Sequence, residues 1–485
     1  MKLVVDNSTT RVVGAHDEHL EWLFQFLSFE DAKAEARRRA GYGGDDRVRL
    51  FDRRRLEFPT GLLPLVIQGA KDRGLALRFR DERGPPAQLH SSQLEGQPWN
   101  MSGNWSFQLG AVEAAHSGAG RRLDGRGIIK SPTGSGKGNI AAAIAHTIDL
   151  RAGRWLFLVH RGNLARDVQS RWSELTGGAP AGFIGDGEWE VGETLTCATI
   201  QTLHAALKRR DPRFRELVDS VEGVIVDECH VAPAASFYAT IQALHGARYR
   251  VGLSGTPLDR GDNRSLMAIA AIGPMSYSVT ARELIDVGVL AEPQIEVIPV
   301  YQKASAQSRG DWHRTYRELI AESQHRNGAV IACMKHALDR GETPGMVFVR
   351  RTAHGRDLAK MARASGLNVE FVDGSKNTHQ REKAVSDLST GRLDFVVASK
   401  VFVEGVNVPE MRTVINAAGG KSVIEALQQV GRGTRVTKTK RQFRVYEIGD
   451  KGDYTLHDHA QERLRAYRRE GYPMTVNRDV WPEKP

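Results

Sequence analysis

Along this chain, short apolar runs alternate with stretches whose apolar residues recur every three to four positions. Candidate strands are Gly127–Lys130, Trp155–Val159, Leu195–Ile200, Gly223–Val226 and Tyr249–Leu253. A second series follows at Met346–Val349, Val369–Val372, Phe395–Ala398, Thr413–Ala417 and Phe443–Ile448. Runs that are apolar on both faces, separated by amphipathic helices, are the pattern of a mostly parallel sheet covered on two sides. The chain therefore reads as α/β, with two successive blocks of similar size and no evident repetition between them. The first block closes near Gly273–Leu290, Glu292–Ile298 reads as the start of a connector, and a long helix is expected over Trp312–Leu338.

The first 95 residues have a different texture and read as a separate small α+β piece. Val4-Val5, Val12-Val13 and Val48–Phe51 suggest short strands. Leu20, Trp22, Leu23, Phe26 and Leu27 lie at helical spacing, as do Leu62, Leu63, Leu65, Val66, Ile67 and Ala70. The stretch from Arg83 to Gln97 reads as a linker, and the tail carries a basic helix, Gln461–Glu470, with Arg463, Arg465, Arg468 and Arg469 on a solvated face. The expected division is 1–95, 96–295, 296–450 and 451–485.

Composition narrows the class. The 485 residues are 40% hydrophobic and 26% charged, with no apolar run near the ~20 residues of a membrane span and no signal-peptide core. Three scattered cysteines without metal spacing read as buried thiols in a reducing cytoplasm, bacterial or that of a phage-infected host. The net charge of +10 suits a polyanionic partner, although acids are interspersed among the arginines. The segment Arg47–Phe58, rich in arginine and bearing aromatics, is a candidate contact for a phosphate backbone.

Specific chemistry begins at Ser131-Pro132-Thr133-Gly134-Ser135-Gly136-Lys137-Gly138-Asn139, between a strand and a helix. Glycines there permit a turn whose backbone N–H groups face a phosphate, Lys137 supplies charge to the β- and γ-phosphates, and the helix N-terminus faces the same anion. Gly138 stands where a Ser or Thr hydroxyl normally reaches Mg²⁺. Further on, an apolar strand ends in Asp227-Glu228-Cys229-His230: Asp227 can hold Mg²⁺ and Glu228 can orient and deprotonate the attacking water. Ser254-Gly255-Thr256 ends the next strand and can couple phosphate state to the Asp227/His230 region. In the second block, Gln428, Arg432 and Arg435 form a Gln-x-x-Gly-Arg-x-x-Arg pattern, with the arginines on one face if helical and placed to meet transition-state charge. Glu404, Gly405 and Asn407 follow a strand and are candidate contacts to the ribose or to nucleic acid.

Taken in order, Phe107-Gln108, Pro132–Lys137, Asp227–His230, Ser254–Pro257, Glu404–Pro409 and Gln428–Arg435 resemble the motifs of a superfamily 2 helicase. The DECH tetrad and Phe58–Leu62 ahead of the motor are similar to phage UvsW and XPB-like branched-DNA helicases. The resemblance implies two tandem RecA-like domains, ATP and Mg²⁺ in the cleft between them, and DNA running across both. It implies that Gln108 reads adenine and that Arg161, Gln169, Thr199, Gln201, Thr202, Arg350, Arg351, Ser399 and Lys400 contact the strand. The function it implies is unwinding or branch migration of forked DNA in replication, recombination or repair by a monomeric motor, with no membrane partner. A restriction-system motor, an RNA helicase and a weakly hydrolysing ATP-gated clamp are the alternatives. Gly138 and Asn407, the latter standing for the family's usual Asp, depart from the pattern.

Overall fold

Five strands rich in β-branched and aromatic residues carry the first half of the chain, and their side chains alternate between two cores. Ile129, Phe157, Ile225 and Val251 face a layer made with the helices Ser106–Ser117, Lys137–Thr147 and Gly162–Leu175. Ile128, Leu156, Val224 and Val226 face the helices Ile200–Arg209, Pro212–Ser220, Ala235–Ala243 and Ser265–Ala271. Burial on both faces is why these strands read as continuous apolar runs.

The structure is a computed structural model and describes residues 1–30, 41, 47–120, 123–150, 153–258, 264–303, 305, 311–399 and 408–481. The first large sheet has eight strands, in the order Glu188–Trp189, Gly182–Gly185, Leu195–Thr199, Arg154–Val159, Val221–Asp227, Tyr249–Ser254, Arg126–Lys130 and Met275–Ser278. All neighbours are parallel except the first pair. The second sheet has seven strands, all parallel: Val369–Val372, Phe395–Ser399, Gly345–Val349, Thr413–Asn416, Gln442–Lys451, Glu292–Tyr301 and Met474–Val476.

Three sequence expectations change here. The supposed connector at Glu292 is a ten-residue strand, interior to the second sheet, whose prolines Pro293 and Pro299 disguise it. The helix expected over Trp312–Leu338 is Trp312–Tyr316, a π-turn Arg317–Ala321 and then Gln324–Asp339. The tail helix runs Tyr454–Arg469, and its Arg463 faces the core, bonded to Glu447 at 2.7 Å, instead of a solvated face. Glu447 also accepts from Tyr467 Oη and Asn416 Nδ2, so the buried carboxylate is satisfied on every side.

Compactness divides the chain into Met1–Pro132 with Gly136–Val279, and Thr280–Pro485 with the tripeptide Thr133–Ser135. The boundary expected near 295 therefore falls at Val279–Thr280, and the first 95 residues are part of the first unit. Their four-stranded sheet, in the order Glu57–Pro59, Thr9–Val13, Lys2–Val5 and Arg78–Asp81, shares a core with Leu123 and Ala270. At Gly61 a Cβ would overlap the Ile269 carbonyl oxygen, so the two layers meet backbone to backbone. The expected linker is tied down as well: Arg83 bonds Asp81 at 2.7 Å and Asp124 at 3.3 Å, and Ala87 N–H donates to Tyr249 Oη. All three cysteines are buried, and no described helix is long and apolar enough to cross a membrane.

Two fully buried arginines lie at this junction. Arg250 donates to the carbonyls of Ala247, Ile241, Leu244 and Ala271 and to Ser8 Oγ; Arg126 donates to those of Ile272, Ala271 and Asn7. Ile241 and Leu244 close one helix, and Ala271 and Ile272 close another. The guanidiniums thus sit at two negative helix ends and use orphan carbonyls as partners. Burial still pulls Arg250 down to about 10. Arg250→Ala would strand these carbonyls; we expect a loss of about 3 kcal/mol, from ~1.5–3 kcal/mol for each bond to a charged group, measured by urea unfolding of the whole chain. Arg250→Lys should recover part of it.

Candidate active site

Parallel register brings the predicted residues to one edge of the first sheet. Val159 pairs with Thr199, Asp227 with Leu253, and Ser254 with Lys130, so every segment that follows these strands leaves from the same C-terminal edge. That edge is where ligands bind in open α/β folds.

The lysine loop follows the strand Arg126–Lys130. Gly134 and Gly136 have φ of 90° and 82°, a region that costs an L side chain strain. A Cβ on Gly136 would also come within 2.5 Å of Gln108 Nε2. Gln108, on the helix Ser106–Ser117, is buried and packs beneath the loop. Pro132 and Thr133 lead into the loop, Ser135 is buried within it, and Asn139 lies in the first turn of the helix that Lys137 begins.

Lys137 Nζ lies 3.8 Å from Glu228 Oε1 and 3.5 Å from the Ser131 carbonyl. Both charged side chains are mostly covered, 13% and 19% exposed. Glu228 has φ 47° and ψ 50°, a left-handed conformation that is strained for a non-glycine residue and points to a local demand of function. Its carboxylate accepts from Ser254 Oγ at 3.2 Å and lies 3.2 Å from His230 Nδ1. His230 Nδ1 is 3.1 Å from Ser254 Oγ, which also accepts from Thr256 N–H. Gly255 links the two hydroxyl residues. Ser131 N–H donates to the Ser254 carbonyl, a tie that pattern reading missed and strand pairing supplies.

The two acids titrate as a pair, and their environments push them apart. Burial, then the neighbouring Glu228 charge, raises Asp227 to about 6. Burial also opposes ionisation of Glu228, but Lys137, His230 and Ser254 outweigh it and hold this carboxyl low, at about 2. A carboxyl crowded by another carboxylate gains from a divalent cation, so Asp227 fits the Mg²⁺ ligand role. Mg²⁺ would supply charge neutralisation on the phosphates. Gly138 offers no hydroxyl, yet there is room for a Cβ, which would meet only Val168 Cγ2, at 3.8 Å.

The other strand-end residues divide into two groups. Arg161, Thr199, Gln201 and Thr202 gather at neighbouring strand ends; Gln201 Nε2 donates to the His160 carbonyl and Thr199 Oγ1 lies 2.8 Å from Thr202 Oγ1. Gln169 stands apart, in mid-helix, where its Nε2 donates to the Ala181 carbonyl. In the second unit Arg350, Arg351 and Ser399 leave adjacent paired strands, with Arg351 5.0 Å over the Tyr316 ring and Arg350 3.7 Å from Glu425. Gln428 lies on the helix Val423–Val430, but that helix ends before Arg432 and Arg435, which sit in the following loop instead of on one helical face. Lys400, Glu404, Gly405 and Asn407 lie outside the described residues.

A parallel sheet with a glycine-lysine loop and an acidic pair at one edge defines a P-loop nucleotide-binding fold. Residues 104–259 match the family model described as type III restriction enzyme, res subunit, and residues 329–437 match the helicase conserved C-terminal domain. A Halobacterium salinarum protein named as a DNA 3'-5' helicase, Rad25, is 30% identical over 72% of this chain and 55% of its own length. The chain thus spans about half of that relative. The ATP-dependent DNA helicase uvsW of Enterobacteria phage T4 is 24% identical over 88% of this chain and 86% of its own. Among solved structures, S. cerevisiae Dbp5 bound to RNA and ADP BeF3 shares the fold, with a TM-score of 0.53 and 15% identity over 77% of this chain and 90% of that one. The chain has two RecA-like domains and resembles the superfamily 2 helicases.

Because space is open at Gly138, Gly138→Ala should raise stability by about 0.4–1 kcal/mol through lost chain entropy in the unfolded state. Gly138→Thr should lower the Mg²⁺ concentration needed for half-maximal ATP turnover. An unchanged Mg²⁺ titration would show that the hydroxyl is dispensable here.

Proposed function

We propose that this protein is an ATP-driven DNA helicase or translocase acting on forked or branched DNA. The observation that carries the reading is the link from Lys137 through Glu228 to Ser254 and His230, which joins a phosphate-binding lysine to a general base and to a coupling strand. Loop amides and Lys137 bind the β- and γ-phosphates of ATP. Those phosphate oxygens compete with Glu228 for Lys137, so the carboxylate loses its ion-pair partner as the substrate enters. Glu228 then orients the attacking water and accepts its proton. Asp227 holds Mg²⁺, and Arg432 and Arg435, with Gln428, meet the charge that develops on the transferred phosphoryl group. Gln108, Pro132, Thr133, Ser135, Asn139, Glu404, Gly405 and Asn407 complete the nucleotide contacts in this reading.

DNA as the track is supported by relatives named as DNA helicases and by the net charge of +10. Arg161, Thr199, Gln201, Thr202, Arg350, Arg351, Ser399 and Lys400 are the proposed strand contacts. Gln169 is the weakest member, since its amide is engaged within the fold. A second reading, the motor subunit of a restriction system, is favoured by the description of the family model over 104–259.

ATP turnover should rise strongly with DNA, and Lys137→Ala or Glu228→Gln should cut it by about 10²–10⁴-fold, measured as phosphate release. Wild-type turnover that is negligible and indifferent to DNA would sink the motor reading. Labelled forks, Holliday junctions, linear duplexes and RNA hybrids then separate the alternatives: strand separation on forks and junctions supports the proposal, and tracking on linear duplex without separation supports the restriction motor. A contact of Arg47–Phe58 with the phosphate backbone is tested by charge reversal at Arg53 or Arg55, which should reduce activity on branched substrates more than basal ATPase. Truncation of residues 1–95 is avoided because it would strip the core shared with Leu123 and Ala270.

A further inference from the structure

Lys440 has no part in the assignments above, yet it is buried to 1% exposure just after the arginine loop. Its Nζ donates to the Gly433 carbonyl at 2.8 Å and to the Met411 carbonyl at 2.9 Å. Burying an ammonium is costly unless its donors are used, and here they are spent on backbone. Gly433 lies between Arg432 and Arg435 and is packed so closely that a Cβ would overlap the Phe443 ring. That ring lies 5.7 Å from Lys440 Nζ. The Gly433 peptide is therefore held between an aromatic face and a charge. Other bonds pin the backbone on either side: Thr434 Oγ1 donates to the Gly431 carbonyl at 2.8 Å, and Ala291 N–H donates to the Thr434 carbonyl at 2.7 Å. Lys440 adds the tie to a second segment, Val408–Met411.

We propose that Lys440 is a positioning residue for ATP hydrolysis, clamping the Gly433 carbonyl to the Met411 carbonyl and so setting how Arg432 and Arg435 are presented. The inference rests on the reading of those arginines as contacts for phosphoryl charge. A lysine suits a clamp between two carbonyls because its three donors lie on one small head, at the end of a stem that can cross a packed layer. The groups facing it are Glu410 and Arg412 from the neighbouring segment and Arg435 from the loop itself. Burial first, then Arg412 and Arg435, lower its pKa to about 8 against the opposing pull of Glu410. The ammonium is thus complete below that pH, and the charge assistance of both bonds fades as pH rises through it.

The test is DNA-stimulated ATPase of the full chain in four variants: Lys440→Met, Lys440→Arg, Arg432→Ala and the double Lys440→Met/Arg432→Ala. Lys440→Met should lower kcat about tenfold or more while KM for ATP stays within about twofold, because only transition-state charge contacts are displaced. Lys440→Arg should restore most of the rate, and it should lack the wild-type decline in kcat above about pH 8, since a guanidinium stays charged there. The double variant should fall below Arg432→Ala by clearly less than Lys440→Met costs on its own, the remainder being the share carried through Arg435, which is the signature of a residue acting through others. Wild-type kcat in Lys440→Met, or the same fractional loss in the Arg432→Ala background, would overturn the proposal. If Lys440→Met melts below the assay temperature, the Lys440→Arg pH profile decides: an alkaline decline matching wild type overturns the clamp. Wild-type turnover in Arg432→Ala would instead overturn the arginine reading itself, and it is read independently of every Lys440 variant.

Discussion

Everything in the first unit depends on the register of four parallel strands. Side-chain alternation has a period of two, so a slip of one residue would turn Asp227 and Ser254 away from the site and expose half of each core. Both faces are apolar and covered, which makes such a slip prohibitive. The cores therefore act as the alignment device for the chemistry. Because Ser254 lies opposite Lys130 and Asp227 opposite Leu253, the lysine loop, the acids and the hydroxyls leave the sheet side by side. The Lys137–Glu228 pair and the Ser254–His230 link follow from that alignment.

Buried charge is handled in two distinct ways. Within the second unit, arginines meet carboxylates: Arg326 with Asp450 at 2.7 Å and Arg463 with Glu447 at 2.7 Å. At the N-terminal junction, Arg126 and Arg250 meet carbonyls at helix ends. Lys440 belongs to the second kind. A cation on carbonyls fixes backbone position without neutralising charge, and it appears where two chain segments must keep a set spacing. A carboxylate partner, by contrast, fixes one side chain against another.

Legibility in the sequence followed the physical origin of each feature. Strands such as Trp155–Val159 and Val369–Val372 were readable because their apolar content alone specifies them. The lysine loop and the acidic tetrad were readable because local backbone demands and adjacent charges leave a local trace. The strand Glu292–Tyr301 was obscured by two prolines and three polar residues, which its neighbours Gln442–Lys451 and Met474–Val476 tolerate. Arg463 looked like one of four surface arginines, since nothing nearby in sequence announces Glu447. The spacing of Arg432 and Arg435 is compatible with a helical face as well as with the observed loop, because spacing alone cannot tell a helix from a turn three residues long.

What the sequence determined by itself was the α/β class, the two successive blocks, and residue types suited to binding phosphate, activating water and countering charge. These are properties of short segments, written in periodicity and in local spacing. Tertiary structure alone decided that the N-terminal sheet shares a core with the first block, that Gln108 packs under Gly136, and that Lys440 clamps Gly433. Each of these joins separate segments of the chain through burial or backbone carbonyls. Carbonyls are present at every position, so a partner of that kind leaves no mark in the amino-acid sequence.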